Sequence, residues 1–264
     1  TTETLPDGNQ IIAYANYAGQ TMLQVFKSGS DQWCDFYKYD SGGMMLWHAH
    51  PSAVTGYDDT KADLLNLVSG NYQYLKDNDG LIETFTYHAP TGWRTADSIQ
   101  RGELGTSIKL KEYEYSSCSA GGSSSSSSSS SGGSSSASSP TYFLSKETVY
   151  PSDTDQTKTI VTTYAYTFYA GTCAVQQKTT TLPVVSSAQN GSGVAATKKE
   201  YFDQYGNLTW SMDERGFITR LKYDIPTGAL KVADSQVANR WGNILEFADF
   251  DLITPNEREA RFAL

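Results

Sequence analysis

Two histidines, His48 and His50, stand two positions apart in a stretch that reads as a β-strand, so both imidazoles fall on one face. Two neutral imidazoles on one face could ligate a metal ion. The sequence identifies no third ligand, and His88 lies elsewhere, so no metal and no cofactor is expected and the pair reads as ordinary strand histidines. The pairs Asp58/Asp59 and Asp153/Asp155 carry calcium-type oxygens, yet no EF-hand loop surrounds them and they read as solvated loop residues. No Gly-x-Ser-x-Gly elbow, Walker loop or His-Glu-x-x-His run occurs, and the expectation is a protein that is not an enzyme. The remaining chemistry is stacking. Trp33, Trp47, Trp93, Trp210 and Trp241 are candidates to lie against sugar rings, with packing inside a sheet as the plainer role.

The elements that carry these residues are set by a turn. An acidic residue is followed three positions later by glycine at Asp203/Gly206 and again at Asp213/Gly216, ten residues on. Strand-like runs fill residues 208–212 and 217–223, and the second closes on Tyr223-Asp224. Asp or Asn at the first turn position accepts hydrogen bonds from amides just ahead of it. Glycine takes positive φ without a Cβ clash and lets the chain reverse with the twist of the strands. The unit recurs at Asp40/Gly43, at Asp77/Gly80 and at Asn239/Gly242, each ahead of a strand-like run. Turn and strand at a fixed short pitch predict an all-β fold of antiparallel β-hairpin repeats, an architecture that favours a scaffold over a single catalytic pocket.

The Tyr-Asp steps, the run Gly206-Asn207-Leu208 leading to Asp213 and Gly216, and the closing Tyr223-Asp224 resemble the YD-repeat, or RHS (rearrangement hot spot), proteins. The sharpest match is residues 201–224, with weaker copies at 5–50, 71–95 and 228–250. The resemblance implies hairpins added side by side into a curved or spiralling sheet, a partial RHS-type β-shell. Bacterial members of that family often enclose a toxin domain, and animal relatives serve cell-surface adhesion. It therefore implies a non-catalytic wall segment that encloses or displays another polypeptide, in a toxin-delivery or surface protein. The implied partners are the remainder of a larger parent chain or an enclosed polypeptide. The implied location is secreted or at the cell surface, in a bacterial envelope. The alternative is a carbohydrate- or cell-surface-binding adhesive module that takes glycans on exposed Trp and Tyr. The Asp-Pro motif associated with self-cleavage at the end of bacterial shells is absent, and so a piece of wall is expected.

Composition agrees with a sheet. Among 264 residues, hydrophobic content is only 38% while 18 are tyrosine, which suits cross-strand aromatic pairs more than a thick aliphatic core. A net charge of −9, with only the isolated pairs Lys109/Lys111 and Lys198/Lys199, argues against nucleic acid as a partner. No apolar run approaches the ~20 residues of a membrane helix, so no membrane span is expected. The chain opens in mid-pattern at Thr1, which suggests an internal cut from a longer protein. Cys34, Cys118 and Cys173 permit at most one internal disulfide and lack zinc-site spacing. The expected domain plan is a YD-repeat region over 1–115 with an insertion near 51–70, a Ser/Gly-rich disordered loop over 116–140, and a second YD-repeat region over 141–264 continuous with the first. Within the insertion, residues 61–68 are expected to form one or two helical turns. On residues 33–39, alternation places Trp33, Asp35, Tyr37 and Tyr39 on one face and Cys34, Phe36 and Lys38 on the other.

Overall fold

A computed structural model describes residues 1–120, 139–224 and 227–237. The candidates Asn239, Trp241 and Gly242, and most of the Ser/Gly tract expected to be a disordered loop, lie outside them. The chain divides into two units, Thr1–Ser117 with Tyr142–Thr162, and Cys118–Thr141 with Thr163–Leu264. Both are built of antiparallel strands, as the turn spacing predicts.

In the first unit, β1 (Thr2–Thr4), β2 (Gln10–Ala15), β3 (Thr21–Ser28), β4 (Asp31–Tyr39) and β5 (Met45–Ala49) pair in chain order. A small hairpin, β6 (Leu67–Val68) and β7 (Asn71–Tyr72), interrupts them. The ladder then resumes with β8 (Leu81–Tyr87) on β5, followed by β9 (Arg94–Arg101), β10 (Ile108–Cys118) as far as Ser117, and β11 (Thr141–Val149) from Tyr142 onward. The second unit pairs β12 (Ile160–Phe168), from Thr163 onward, with β13 (Val175–Thr181), then β14 (Thr197–Phe202), β15 (Leu208–Met212), β16 (Phe217–Tyr223) and β17 (Leu230–Val237).

The turns share one hydrogen-bond pattern. At Asp213 the backbone N–H donates to Phe217 O at 3.0 Å and Gly216 N–H donates back to Asp213 O at 3.0 Å. Asp213 Oδ1 meanwhile accepts the amides of Arg215 and Phe217 at 2.9 and 2.8 Å. Asp203 repeats this with Tyr205 and Asn207, and the Asn207 side chain also donates to Asp203 Oδ2 at 2.9 Å. Asp40 does the same with Gly42 and Met44. Asn16, three residues ahead of Gly19 in the same spacing, does it with Ala18 and Gln20. The closing glycines Gly206 and Gly216 both have φ of 86°, the left-handed region that a Cβ disfavours. Tyr223 ends β16, and Asp224 opens a wider turn in which its carboxylate accepts the Thr227 amide and hydroxyl.

Asp77 and Gly80 are placed differently, at the exit of the insertion. The Asp77 carbonyl accepts the Leu104 amide at 2.8 Å. A Cβ on Gly80 would meet the Ala53 backbone at 2.3 Å, so this glycine permits a close chain approach.

The turns have a companion feature. In β2–β3, β4–β5, β8–β9, β12–β13, β14–β15 and β16–β17 the register slips by one residue beside the turn. Such a bulge reverses which face the rest of the second strand presents.

The core lies in the first unit. Alternate residues Leu23 and Val25 of β3, Cys34 and Phe36 of β4, Ala49 of β5 and Ile82 of β8 form one buried sheet face. The insertion lays Ala53, Val54, Leu64, Leu65, Tyr72 and Leu75 over it. Fully burying one such Leu, Val or Phe contributes about 1.5–3 kcal/mol. Glu103 anchors this cover, accepting the Tyr72 amide on both carboxylate oxygens at 3.1 and 2.8 Å. Residues 61–68 form turns and the strand β6, and the helical turns expected there do not occur. Leu64 and Asn66 take φ of 64° and 53°, which no right-handed helix accommodates. Asp63 also captures the Leu65 and Leu67 amides with its side chain, in competition with helical bonding.

Candidate functional site

Among the described residues, the sheet face opposite the core carries a cluster of chemically able side chains. Its register follows from one bulge. Tyr39 faces Met45, but Lys38 faces Trp47, so one residue of β5 is looped out. An unbroken count would set His48 opposite Phe36, on the core face. With the slip, Ala49 faces Phe36 and His48 faces Tyr37. On the other side of β5, His48 faces Glu83 and Ala49 faces Ile82. Phe36, Ala49 and Ile82 therefore make an apolar row on one face, while Tyr37, His48 and Glu83 make a polar row on the other.

His48 lies between two carboxylates. Its Nε2 is 2.9 Å from Asp35 Oδ1 and its Nδ1 is 3.1 Å from Glu83 Oε2. Tyr37 stacks on the same ring, with centroids 4.6 Å apart and planes inclined by 13°. Burial, reinforced by the Asp35 carboxylate and Tyr39, pushes the Tyr37 hydroxyl up from its ordinary value. His50, one residue past β5, turns its ring to 4.0 Å from that of His48. His50 Nδ1 lies 3.9 Å from Asp35 Oδ1 and His50 Nε2 lies 3.4 Å from Glu83 Oε2. That Nε2 is buried and lacks a hydrogen bond, because the nearby carboxylate is within ion-pair range but out of line. Each carboxylate thus faces both imidazoles. Asp35, His48 and His50 offer ligand atoms all within 4.8 Å of one another, the one group of this kind among the described residues.

His88 stands apart from this cluster, bonded to the Thr91 hydroxyl and packed on Tyr115 and Tyr142. Trp33 is 45% exposed beside Phe26, and Trp93 is 46% exposed beside Tyr115. Trp47 packs against the core under the Lys38 ammonium, and Trp210 is buried with the Arg220 guanidinium near its ring. An open groove of about 620 Å³ runs beside the Asn16 and Asp40 turns and is lined by Tyr17, Gln20, Tyr39 and Tyr72.

No protein family and no curated protein matched the sequence. Among solved structures, the crystal structure of TcdB2-TccC3 matches over 88% of this chain and 12% of its own, at 13% identity and a TM-score of 0.33. The Photorhabdus luminescens Tc holotoxin pore matches over 87% of this chain and 12% of its own, at 14% identity and a TM-score of 0.34. The chain thus spans about one eighth of the length of those it resembles.

Strand alternation sets His48 with His50 and Asp35 with Tyr37, but nothing in the sequence joins the two pairs or points to Glu83. The available signal was the Asp40–Gly43 turn, which brings β5 back along β4, and the bulge beside it hides the true count.

Proposed function

We propose that this chain is a non-catalytic β-repeat scaffold, a stretch of RHS-like wall that encloses or displays another polypeptide of a toxin-related or surface assembly. One observation carries the reading. The same side-chain-locked turn recurs at Asn16, Asp40, Asp203 and Asp213, with strands paired to their sequence neighbours on either side. Such hairpins add by nearest-neighbour contact, which suits extension of a surface. A location outside the cytoplasm is supported by the Cys118–Cys173 disulfide, since disulfides persist in oxidising compartments. The glycan-binding alternative has less support, because Trp47 and Trp210 are engaged in packing and Trp33 and Trp93 each rest on an aromatic neighbour.

Electron cryo-microscopy of the full-length gene product tests this reading. The expected result is a run of hairpins continuing the ladder seen here, with a second polypeptide segment against the wall. A free-standing domain, with no polypeptide against it and no further hairpins, would overturn it.

A further inference from the structure

We propose that Asp35, His48 and His50 form a binding site for one divalent transition-metal ion of the zinc type, with Glu83 orienting the imidazoles from behind. The proposal is independent of the scaffold reading. It rests on the box of two imidazoles and two carboxylates described above.

Valence is the first argument. A neutral imidazole has one N–H and one lone pair. His48 has a carboxylate oxygen close to each ring nitrogen, at 2.9 and 3.1 Å. In the neutral ring, one of these contacts sets a lone pair against an anionic oxygen. A cation between His48 Nε2 and Asp35 removes that repulsion and lets Nδ1–H donate to Glu83. This is the carboxylate–histidine–metal relay, in which the outer carboxylate fixes tautomer and ring orientation. His50 faces the same two carboxylates at longer range, with Nδ1 3.9 Å from Asp35 Oδ1 and Nε2 buried without a hydrogen bond 3.4 Å from Glu83 Oε2.

Distance is the second argument. At metal–ligand bonds near 2.0–2.1 Å, tetrahedral ligand atoms lie about 3.3 Å apart. The edges from Asp35 Oδ1 to His48 Nε2 and His50 Nδ1 are 2.9 and 3.9 Å and bracket that value. Burial is the third. The His48 side chain is 18% exposed and the others 30–38%, so the cluster is half-sheltered and still reachable by an ion. Nitrogen ligands favour zinc, cobalt and nickel over magnesium and calcium. Three protein ligands leave one position for water. The ion would tie β4 to β5 and the segment after it, on the face opposite the core.

The test uses the chain as it stands, freed of metal by a chelator. Cobalt(II) is titrated while d–d absorbance is followed, and zinc by calorimetry. The expected result is one ion per chain, with the ¹⁵N signals of His48 and His50 moving and that of His88 unmoved. Asp35→Asn and His50→Gln are each expected to abolish the cobalt spectrum, Glu83→Gln to weaken binding 10–100-fold, and His88→Gln to change nothing. No cobalt spectrum and no zinc heat, from protein whose circular dichroism shows intact strands, overturns the proposal. So does unchanged binding in the Asp35→Asn/His50→Gln double variant. Should a variant fail to fold, the ¹⁵N shifts of the unaltered protein still decide.

Discussion

At the scale of single residues, the turn unit separates two uses of glycine. Gly206 has φ of 86° and open space where a Cβ would go, so its requirement is conformational alone. Gly206→Ala is expected to cost about 1–2 kcal/mol, the left-handed penalty of an L-residue. Gly80 has a similar φ of 82° and also lies against the Ala53 backbone at 2.3 Å. Gly80→Ala adds overpacking to the same penalty, for a total of about 3 kcal/mol or more. Urea denaturation of the two variants should show the larger midpoint drop for Gly80→Ala, and equal drops would refute the distinction. The aspartate of the turn has its own signature. Burial acts to raise the Asp203 carboxyl, but donors from the Asn207 side chain and the Asn207, Tyr205 and Gly206 backbone outweigh it and hold it below the ordinary 3.8. A carboxyl depressed in the folded state contributes stability that is present above its unfolded value and lost as pH falls through its folded value. Stability should therefore drop on acidification below about pH 4, and Asp203→Asn should flatten that part of the urea-midpoint profile. A variant profile parallel to that of the parent would count against it. These residues were legible in the sequence because an Asp-x-x-Gly turn closes its hydrogen bonds within five residues. Asp77 and Gly80 fit the same spacing and do other work, since long-range packing decided their environment.

At the scale of elements, register is what the sequence hid. Asp35 and Glu83 lie 13 and 35 residues from His48, and only the pairing of β4, β5 and β8 unites them. A one-residue bulge inverts the faces of β5, so strand alternation alone gives the wrong neighbours. The insertion was hidden for a related reason. Its run Asp63-Leu-Leu-Asn-Leu67 has the apolar density of a short helix, while its side-chain oxygens and left-handed residues fold it into turns. Those turns place Leu65 at 0% exposure in the cover over the sheet, whereas Trp33 sits 45% exposed on the opposite face. Leu65→Ala should therefore cost about 2–5 kcal/mol, as a buried cavity does. Trp33→Ala, despite removing the larger side chain, should cost about 1 kcal/mol, the scale of one cross-strand aromatic pair. Thermal melts of both variants check the order, and a larger loss for Trp33→Ala would mean the insertion does not cover the core.

At the scale of the whole molecule, the two units hold together by different means. The first contains a twelve-residue cluster, from Leu23 to Ile82, formed by the sheet face and the insertion laid over it. In the second, the buried hydrophobic side chains among the described residues are Trp210 and Ile218, at 8% and 9% exposure. Hairpins with so little buried apolar area depend on neighbour pairing and cross-links. The disulfide between Cys118 and Cys173 belongs to this second unit and spans 55 residues of sequence. In the chain-entropy account, closing a loop of that size stabilises by roughly 4 kcal/mol. Cys34 is the free cysteine. It is buried in the core of the first unit, and burial followed by the Asp35 charge pushes its thiol up, away from the reactive thiolate. Thiol titration should accordingly detect none in the native protein, one in urea, and three in urea after reduction. Hydrogen exchange should show β3, β4, β5 and β8 as the slowest strands, with β13 to β16 opening earlier. Reductant should then accelerate exchange in β13 to β16 and leave the core strands of the first unit unchanged. Uniform acceleration across both units would mean that they unfold as one cooperative body, and that the covered core does not stabilise the first unit by itself.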